Sequence, residues 1–251
     1  MEENLITPKL FTETDKVYIP VKPISEYSED EQKEAVTKYW PESLKNILAI
    51  TIDDMRYERL VQNSGVLSQY VQKIQGINGR LLPTLEELQE QKIYEPVNKW
   101  NPMTRGQIGC FMSHRKAWQH VVDHKLPFAL IIEDDCDLLP HPDTLKYIGE
   151  VFRNEINFTW DLLYLGRNPA YCTKKLQVRP HVVTVGKTWG LFAYAVSLHG
   201  AEQLLKETSG PIKEPVDVCV SITKHLKRKI AFSPIAIFIR TEESSDTSDI
   251  K

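Results

Sequence analysis

Short apolar runs alternate with amphipathic segments from about residue 46 onward, and this alternation predicts strands separated by helices. The first run, ILAITI at residues 47–52, is continuous and fits a strand that is covered on both faces. The segment after it carries a helical stripe formed by Leu60, Val61, Ser64, Leu67 and Val71. A strand followed by a helix therefore opens the main domain.

The same alternation continues along the rest of the chain. A second buried strand is predicted at residues 128–132, directly after a helix at 107–124. Further helices are predicted at 143–154, 199–207 and 216–227, and further strands at 161–165, 181–185 and 191–197. Strands that alternate with helices predict an α/β fold with a mixed, mainly parallel sheet flanked by helices. Ligands of such folds bind at the carboxyl ends of the strands.

Residues 1–45 lack a long apolar period, so we expect an N-terminal extension packed on a main domain that spans residues 46–251. Within this extension, Ser28 and Glu31 have the spacing of a capping box, which predicts a short helix. A chain of 251 residues is long enough for one such domain with a sizeable core.

Charge and composition argue against several classes of protein. The net charge is −3 and the basic residues are mixed among acidic ones, so no basic field for nucleic acid is present. No run approaches the length of a membrane span, and the amino terminus lacks a secretion signal, so we expect a cytoplasmic protein without a transmembrane segment. The four cysteines are spread singly, which favours reduced thiols over disulfides or a zinc site.

Four carboxylates crowd the end of the strand at 128–132, namely Glu133, Asp134, Asp135 and Asp137. Like charges at this density repel one another, so a bound cation would stabilise them. Glu133 and Asp135 would share one face of a continuing strand, and we expect them to bind Mn²⁺ or Mg²⁺. Such an ion keeps positions open for the oxygens of a diphosphate. The competing interpretation is an exposed acidic turn.

Arg56 and Arg59 follow the first strand at a spacing that places both on one side of a helix. Arginines at a helix amino terminus can fork onto phosphate oxygens, which predicts a diphosphate contact. The alternative is that both side chains are solvated at the surface.

Four further residues are candidates for ligand contact or chemistry. Ser113 and His114 could hydrogen-bond a ligand, although a lone helical histidine is more often a surface or core residue. Trp189 stands at the mouth of a strand, where its ring could lie under a sugar or base or fill the core. Asp217 opens a predicted helix and could act as a general base or only complement the helix dipole.

The motifs GQIGCFMSHRKAW and LPFALIIEDD, in this order and spacing, resemble those of glycosyltransferase family 25. Supporting segments are ITIDDMRYER, QGINGRLL, WDLLYLG, GLFAYAVSLHGAEQLL, PVDV and the terminal SDI. The resemblance runs from about Asn46 to the carboxyl terminus. It implies a GT-A type fold, a uridine diphosphate (UDP) sugar as donor, a divalent metal at the acidic motif and inversion at the anomeric carbon.

The residues and the resemblance together predict the members of the site. The nucleotide-sugar contacts are Asp53, Arg56, Arg59, Ser113, His114, Asp134 and Trp189. The metal ligands are Glu133 and Asp135, and the catalytic base is Asp217.

The resemblance implies transfer of galactose or glucose to a hydroxyl group of a glycan or of a hydroxylysine-type protein acceptor, by direct displacement. Two other functions stay open at this point. One is a non-catalytic protein of the same fold that binds nucleotide sugars or glycans. The other is a metal-dependent hydrolase of nucleotide sugars, which would release the sugar without an acceptor.

Overall fold

The computed structural model describes residues 10–11, 18–98, 100–136, 138–168 and 175–237. Nine strands form one sheet in these ranges: β1 (Leu10–Phe11), β2 (Ile47–Thr51), β3 (Val71–Gln75), β4 (Phe128–Glu133), β5 (Leu162–Gly166), β6 (Lys175–Arg179), β7 (Val182–Thr184), β8 (Ala193–Ser197) and β9 (Lys229–Phe232). The α-helices are α1 (Glu29–Tyr39), α2 (Asp54–Asn63), α3 (Leu85–Glu90), α4 (Arg105–Asp123), α5 (Pro142–Asn154), α6 (Leu198–Glu207) and α7 (Val216–Ile222).

The strand order is β1-β6-β7-β9-β5-β8-β4-β2-β3. The pairs β2–β3, β2–β4 and β5–β9 are parallel, whereas the other five described pairs are antiparallel. The predicted α/β fold with a helix-flanked, mixed sheet is confirmed, but the expectation of a mainly parallel sheet was wrong. Strands β6 and β7 are neighbours and follow one another without a long helix between them, whereas parallel neighbours need such a crossover.

The centre of the sheet is covered on both faces. Leu130 and Ile132 of β4 pack in one core together with residues of α1, α2 and α5. Ala129 and Ile131 of the same strand pack in a second core with residues of α4, α6 and α7. The continuous apolar run at 128–132 is therefore explained by burial of both sets of alternating side chains.

Two predicted helices end earlier than expected. The stripe from Leu60 to Val71 is interrupted because α2 stops at Asn63, and Gly65 adopts a positive φ of 48° before Val71 begins β3. The helix predicted at 216–227 stops at Ile222, where Lys229 Nζ donates to the last carbonyls of α7.

The described part of the N-terminal segment packs on α5. Helix α1 begins with the predicted capping box of Ser28 and Glu31 and lies against α5. The ring of Tyr18 stacks on Tyr147 of α5, with centroids 4.4 Å apart. Division of the chain at residue 45 stays a prediction. No helix in the described ranges is both long enough and apolar enough to span a lipid bilayer.

Candidate active site

An open cleft of about 710 Å³ lies at the carboxyl ends of β2 and β4. It is lined by the end of β2, the first turn of α2, the segment after β3, the first half of α4 and the acidic turn after β4. This is the edge of the sheet at which α/β folds bind their ligands.

The segment after β3 lies against the backbone of α4 through two glycines. A Cβ on Gly79 would stand 2.4 Å from the carbonyl oxygen of Arg105, and one on Gly109 would stand 2.6 Å from the carbonyl oxygen of Ile77. Ser113 fixes the same segment, because its Oγ accepts a hydrogen bond of 2.8 Å from the Ile77 amide. The buried Ser113 hydroxyl also donates to the Gly109 carbonyl, so both of its hydrogen-bonding functions are used inside the protein.

The acidic residues stand on a turn and not on a continuing strand. Strand β4 ends at Glu133, and the Cys136 amide donates 3.1 Å back to the Glu133 carbonyl, so Asp134 and Asp135 form the corner of a turn. The expected strand alternation was therefore wrong, although Glu133, Asp134 and Asp135 all line the cleft. Asp137 lies outside the described residues.

Asp134 is buried and joins the ends of two strands. Its Oδ1 lies 2.5 Å from Arg56 Nη2, and its Oδ2 accepts a hydrogen bond of 2.5 Å from the hydroxyl of Thr51 at the end of β2. Both carboxylate oxygens thus have partners within the protein, which fits a carboxylate that holds the cleft together. Contact of Asp134 with a nucleotide sugar stays a prediction.

Asp135 differs from its neighbour because its Oδ1 is buried and has no hydrogen-bond partner among the described residues. Its Oδ2 lies 4.0 Å from Arg56 Nη2, which is too far for a good hydrogen bond. Burial, followed by repulsion from Glu133 and Asp134, raises the pKa of Asp135 to about 7. A buried carboxylate oxygen without a donor is costly, and a cation in the cleft would satisfy it. The residues present therefore fit a divalent metal.

A second arrangement of metal-ligating atoms surrounds Glu133. Among the described residues, Cys110, His114 and Glu133 form the group whose ligand atoms all lie within 4.8 Å of one another. Cys110 and His114 are one turn apart on α4, and burial raises the pKa of the Cys110 thiol well above its usual range. A protonated thiol is a poor ligand, and the soft sulfur suits zinc more than Mn²⁺ or Mg²⁺.

His114 is fully buried and does not reach out to solvent. Its Nδ1 lies 2.9 Å from the hydroxyl of Tyr194 on β8, and its Nε2 lies 3.3 Å from Glu133 Oε1. His114 is therefore held between the core and the acidic turn. Tyr194 and its neighbour Trp118 were missed in the sequence, because they belong to buried apolar patterns that give no sign of a polar contact.

Three of the predicted nucleotide contacts lie at the start of α2. Asp53 is exposed and caps α2 by accepting a hydrogen bond of 3.0 Å from the Arg56 amide. Arg56 projects into the cleft, whereas Arg59 is exposed and is not among the described residues that line it. Their predicted joint contact with a diphosphate is thus supported by position for Arg56 alone.

Asp217 is hydrogen-bonded to the backbone of the loop that carries Trp189. Trp189 is 42% exposed and precedes Gly190, which has a φ of 82°. The Gly190 amide donates 3.1 Å to Asp217 Oδ2, and the Val218 amide donates 2.8 Å to Asp217 Oδ1. Asp217 therefore ties the start of α7 to the loop that carries the tryptophan.

Residues 45–220, which are more than half of the chain, match the profile of glycosyltransferase family 25 (LPS biosynthesis protein). The chain belongs to glycosyltransferase family 25. This membership agrees with the order of the glycine-rich helix α4 and the acidic turn at the cleft.

Curated relatives carry different functional names. Mouse procollagen galactosyltransferase 2 is 30% identical over 190 residues, or 70% of this chain and 28% of that protein. Human inactive glycosyltransferase 25 family member 3 is 34% identical over 129 residues, or 49% of this chain and 21% of that protein. A glycosyltransferase 25 family member of Anopheles gambiae is 27% identical over 190 residues, or 70% of this chain and 31% of that protein. The chain thus spans less than a third of each relative.

Proposed function

We propose that the protein is a metal-dependent glycosyltransferase that moves a hexose from a UDP-sugar to a hydroxyl group. Family membership supports glycosyl transfer, and the name of the mouse relative favours galactose as the sugar. The observation that carries the proposal is the unpartnered, buried Oδ1 of Asp135 in a cleft that also contains Glu133 and Arg56.

Glu133 and Asp135 would hold Mn²⁺ or Mg²⁺, and the bound ion would neutralise charge on the diphosphate as it leaves. Arg56 would add a charged donor from the first turn of α2, where the helix dipole also favours an anion. Because Arg56 is already engaged with Asp134 through Nη2, its position is fixed before a ligand arrives.

Asp217 is the proposed base, which would accept a proton from the acceptor hydroxyl as that oxygen attacks the anomeric carbon. Its two oxygens each accept one backbone N–H and retain lone pairs for a further partner. Trp189, on the loop whose Gly190 amide donates to Asp217, is proposed to lie under the sugar ring. The acceptor is proposed to be a glycan or a hydroxylysine-bearing chain, and the word procollagen in the name of the mouse relative favours a protein acceptor.

The test is release of UDP from a panel of UDP-sugars, with and without Mn²⁺, for the parent and for Asp135→Ala. We expect metal-dependent release from one donor, stimulated by an acceptor and lost in the variant. Glu202→Gln, which removes an exposed carboxylate on α6, is the matched control and should keep parental release. Release that does not respond to any glycan or hydroxylysine peptide would instead indicate a nucleotide-sugar hydrolase.

The human relative named inactive favours a second candidate, a protein that binds nucleotide sugars without turnover. For such a protein we expect metal-dependent binding of UDP-sugar, and no release of UDP when any acceptor is added. Calorimetric binding measured on the same samples therefore separates the two functions.

A further inference from the structure

A series of buried polar contacts leads from the core to the acidic turn. The indole Nε1 of Trp118 donates a hydrogen bond of 2.8 Å to the hydroxyl of Tyr194. That hydroxyl lies 2.9 Å from His114 Nδ1, and His114 Nε2 lies 3.3 Å from Oε1 of Glu133. Trp118, Tyr194 and His114 are all fully buried, so water does not compete for the contacts among these three side chains.

The first hydrogen bond of the series has a fixed direction. An indole N–H can only donate, so the Tyr194 oxygen accepts from Trp118. The Tyr194 hydroxyl keeps its own proton, and a bare Nδ1 of His114 at 2.9 Å would give that proton an acceptor. A neutral imidazole with a bare Nδ1 carries its proton on Nε2, and this N–H faces Glu133.

The opposite tautomer is disfavoured by the other end of the series. With its proton on Nδ1, His114 would turn the lone pair of Nε2 toward the carboxylate of Glu133 at 3.3 Å. A carboxylate is an acceptor only, so two lone pairs would face each other in a buried place. Both ends of the series therefore favour a proton on Nε2 of His114.

We propose that His114 is a positioning residue, whose Nε2–H holds Oε1 of Glu133 and leaves the second carboxylate oxygen to bind the metal. This role rests on the proposed function, because Glu133 is one of the proposed metal ligands. It also separates His114 from the group of possible ligands around Cys110, because a protonated Nε2 has no lone pair to give to a metal.

Long-range proton–nitrogen NMR spectra of the ¹⁵N-labelled, metal-free protein test the proton position directly. His114→Gln identifies the signals of His114 by their disappearance. We expect Nε2 to be protonated and Nδ1 to be bare. A proton on Nδ1 would overturn the proposal, as would loss of the Nε2 proton on addition of Zn²⁺, which would make His114 a ligand together with Cys110 and Glu133.

The affinity for Mn²⁺, measured by electron paramagnetic resonance without any substrate, tests the positioning role. Tyr194→Phe removes the donor to Nδ1, and we expect the Kd for Mn²⁺ to rise about tenfold or more. Tyr147→Phe is the matched control, since this buried tyrosine donates 2.7 Å to the Pro234 carbonyl away from the cleft. It should cost comparable stability and leave the Kd unchanged.

Substitution of His114 itself separates hydrogen bonding from packing. Glutamine can place an N–H near the position of Nε2, so His114→Gln should retain more affinity for Mn²⁺ than His114→Met, which fills similar volume without a donor. Equal affinities in these two variants, or equal affinities in Tyr194→Phe and Tyr147→Phe, would overturn the positioning role. Failure of the parent to bind Mn²⁺ would overturn the metal dependence of the proposed function, and this role with it, whatever tautomer the spectra show.

Discussion

Replacement of Asp135 by asparagine should stabilise the metal-free protein at alkaline pH. Burial and repulsion from Glu133 raise the pKa of Asp135 from 3.8 to about 7, so the ionised carboxylate costs free energy in the folded state. The side chain of Asp135 is 22% exposed, so solvent screens its charge only in part.

The size of the effect follows from the two pKa values. A difference from 3.8 to about 7, at about 1.4 kcal/mol per pKa unit, sets an upper limit of about 4 kcal/mol. Asparagine loses the weak attraction of Arg56 at 4.0 Å and brings a buried amide of its own. We therefore expect a net gain of about 1–2 kcal/mol at pH 8.

The pH dependence has a definite sign. Because the folded-state pKa is the higher one, the cost of the ionised group is absent below pH 4, grows between pH 4 and pH 7 and is complete above pH 7. Only about two fifths of the cost of ionisation remains at pH 5, whereas the penalty of the buried amide does not change with pH, so the advantage of Asp135→Asn should be lost at pH 5.

Urea unfolding in the presence of a chelator, at pH 8 and pH 5, measures this advantage. Glu202→Gln serves as the control, because it neutralises an exposed carboxylate and should change the free energy of unfolding by less than about 0.5 kcal/mol. Addition of Mn²⁺ at pH 8 should stabilise the parent and not Asp135→Asn. An advantage that is equal at both pH values, or absent at pH 8, would show that ionisation of Asp135 does not destabilise the folded state.

Three further substitutions test how the cleft is built, each through the free energy of unfolding. Arg56→Met leaves buried Asp134 without its cation and should cost about 3–5 kcal/mol. Arg59→Met, on the exposed side of α2, should cost less than about 1 kcal/mol. Equal costs would contradict the ion pair between Arg56 and Asp134. Gly79→Ala brings a Cβ to within 2.4 Å of a carbonyl oxygen and should destabilise the protein by about 2 kcal/mol or more. Gly210→Ala meets nothing within 4 Å and should leave the stability unchanged. A neutral Gly79→Ala would show that the segment after β3 is free to shift. Lys229→Met removes the donor to the carbonyls at the end of α7 and should cost about 1–2 kcal/mol. Lys224→Met, at an exposed position, should be neutral. Equal costs would show that Lys229 does not stabilise the end of α7.

Much of the fold follows from patterns that are local in the sequence. The helix predicted at 107–124 is α4, and it begins two residues earlier because Thr104 and Gln107 form a capping box. The apolar run at 128–132 identifies β4, the strand that leads into the acidic turn. Helix α3 was not predicted, because its six residues are too few to show a helical period.

The pairing of strands could not be predicted from these patterns. Strand β8 lies between β4 and β5 and is antiparallel to both, although its residues are as apolar as those of a parallel strand. Burial on both faces produces the same continuous run in either orientation. The segment Lys175–Arg179, which forms β6, is too polar to be recognised before its partner β7 is known.

The candidate site was predicted in its charges and not in its contacts. The density of carboxylates after β4 indicated the cleft, because charge clusters are visible in the sequence. Both oxygens of Asp134 have close partners and Oδ1 of Asp135 has none in the part of the chain that the structure describes, because the turn after Glu133 places only Asp134 against Arg56 and Thr51. Contacts of this kind depend on the tertiary structure and have no local signal.

The most direct test of the metal site is a crystal structure of the protein soaked with Mn²⁺ and UDP, with diffraction recorded at the manganese absorption edge. We expect one anomalous peak in the cleft, at bonding distance from carboxylate oxygens of Asp135 and Glu133 and from the diphosphate, with Arg56 beside the phosphates. A peak bound by Cys110 and His114, or UDP bound in the cleft without any metal, would contradict it.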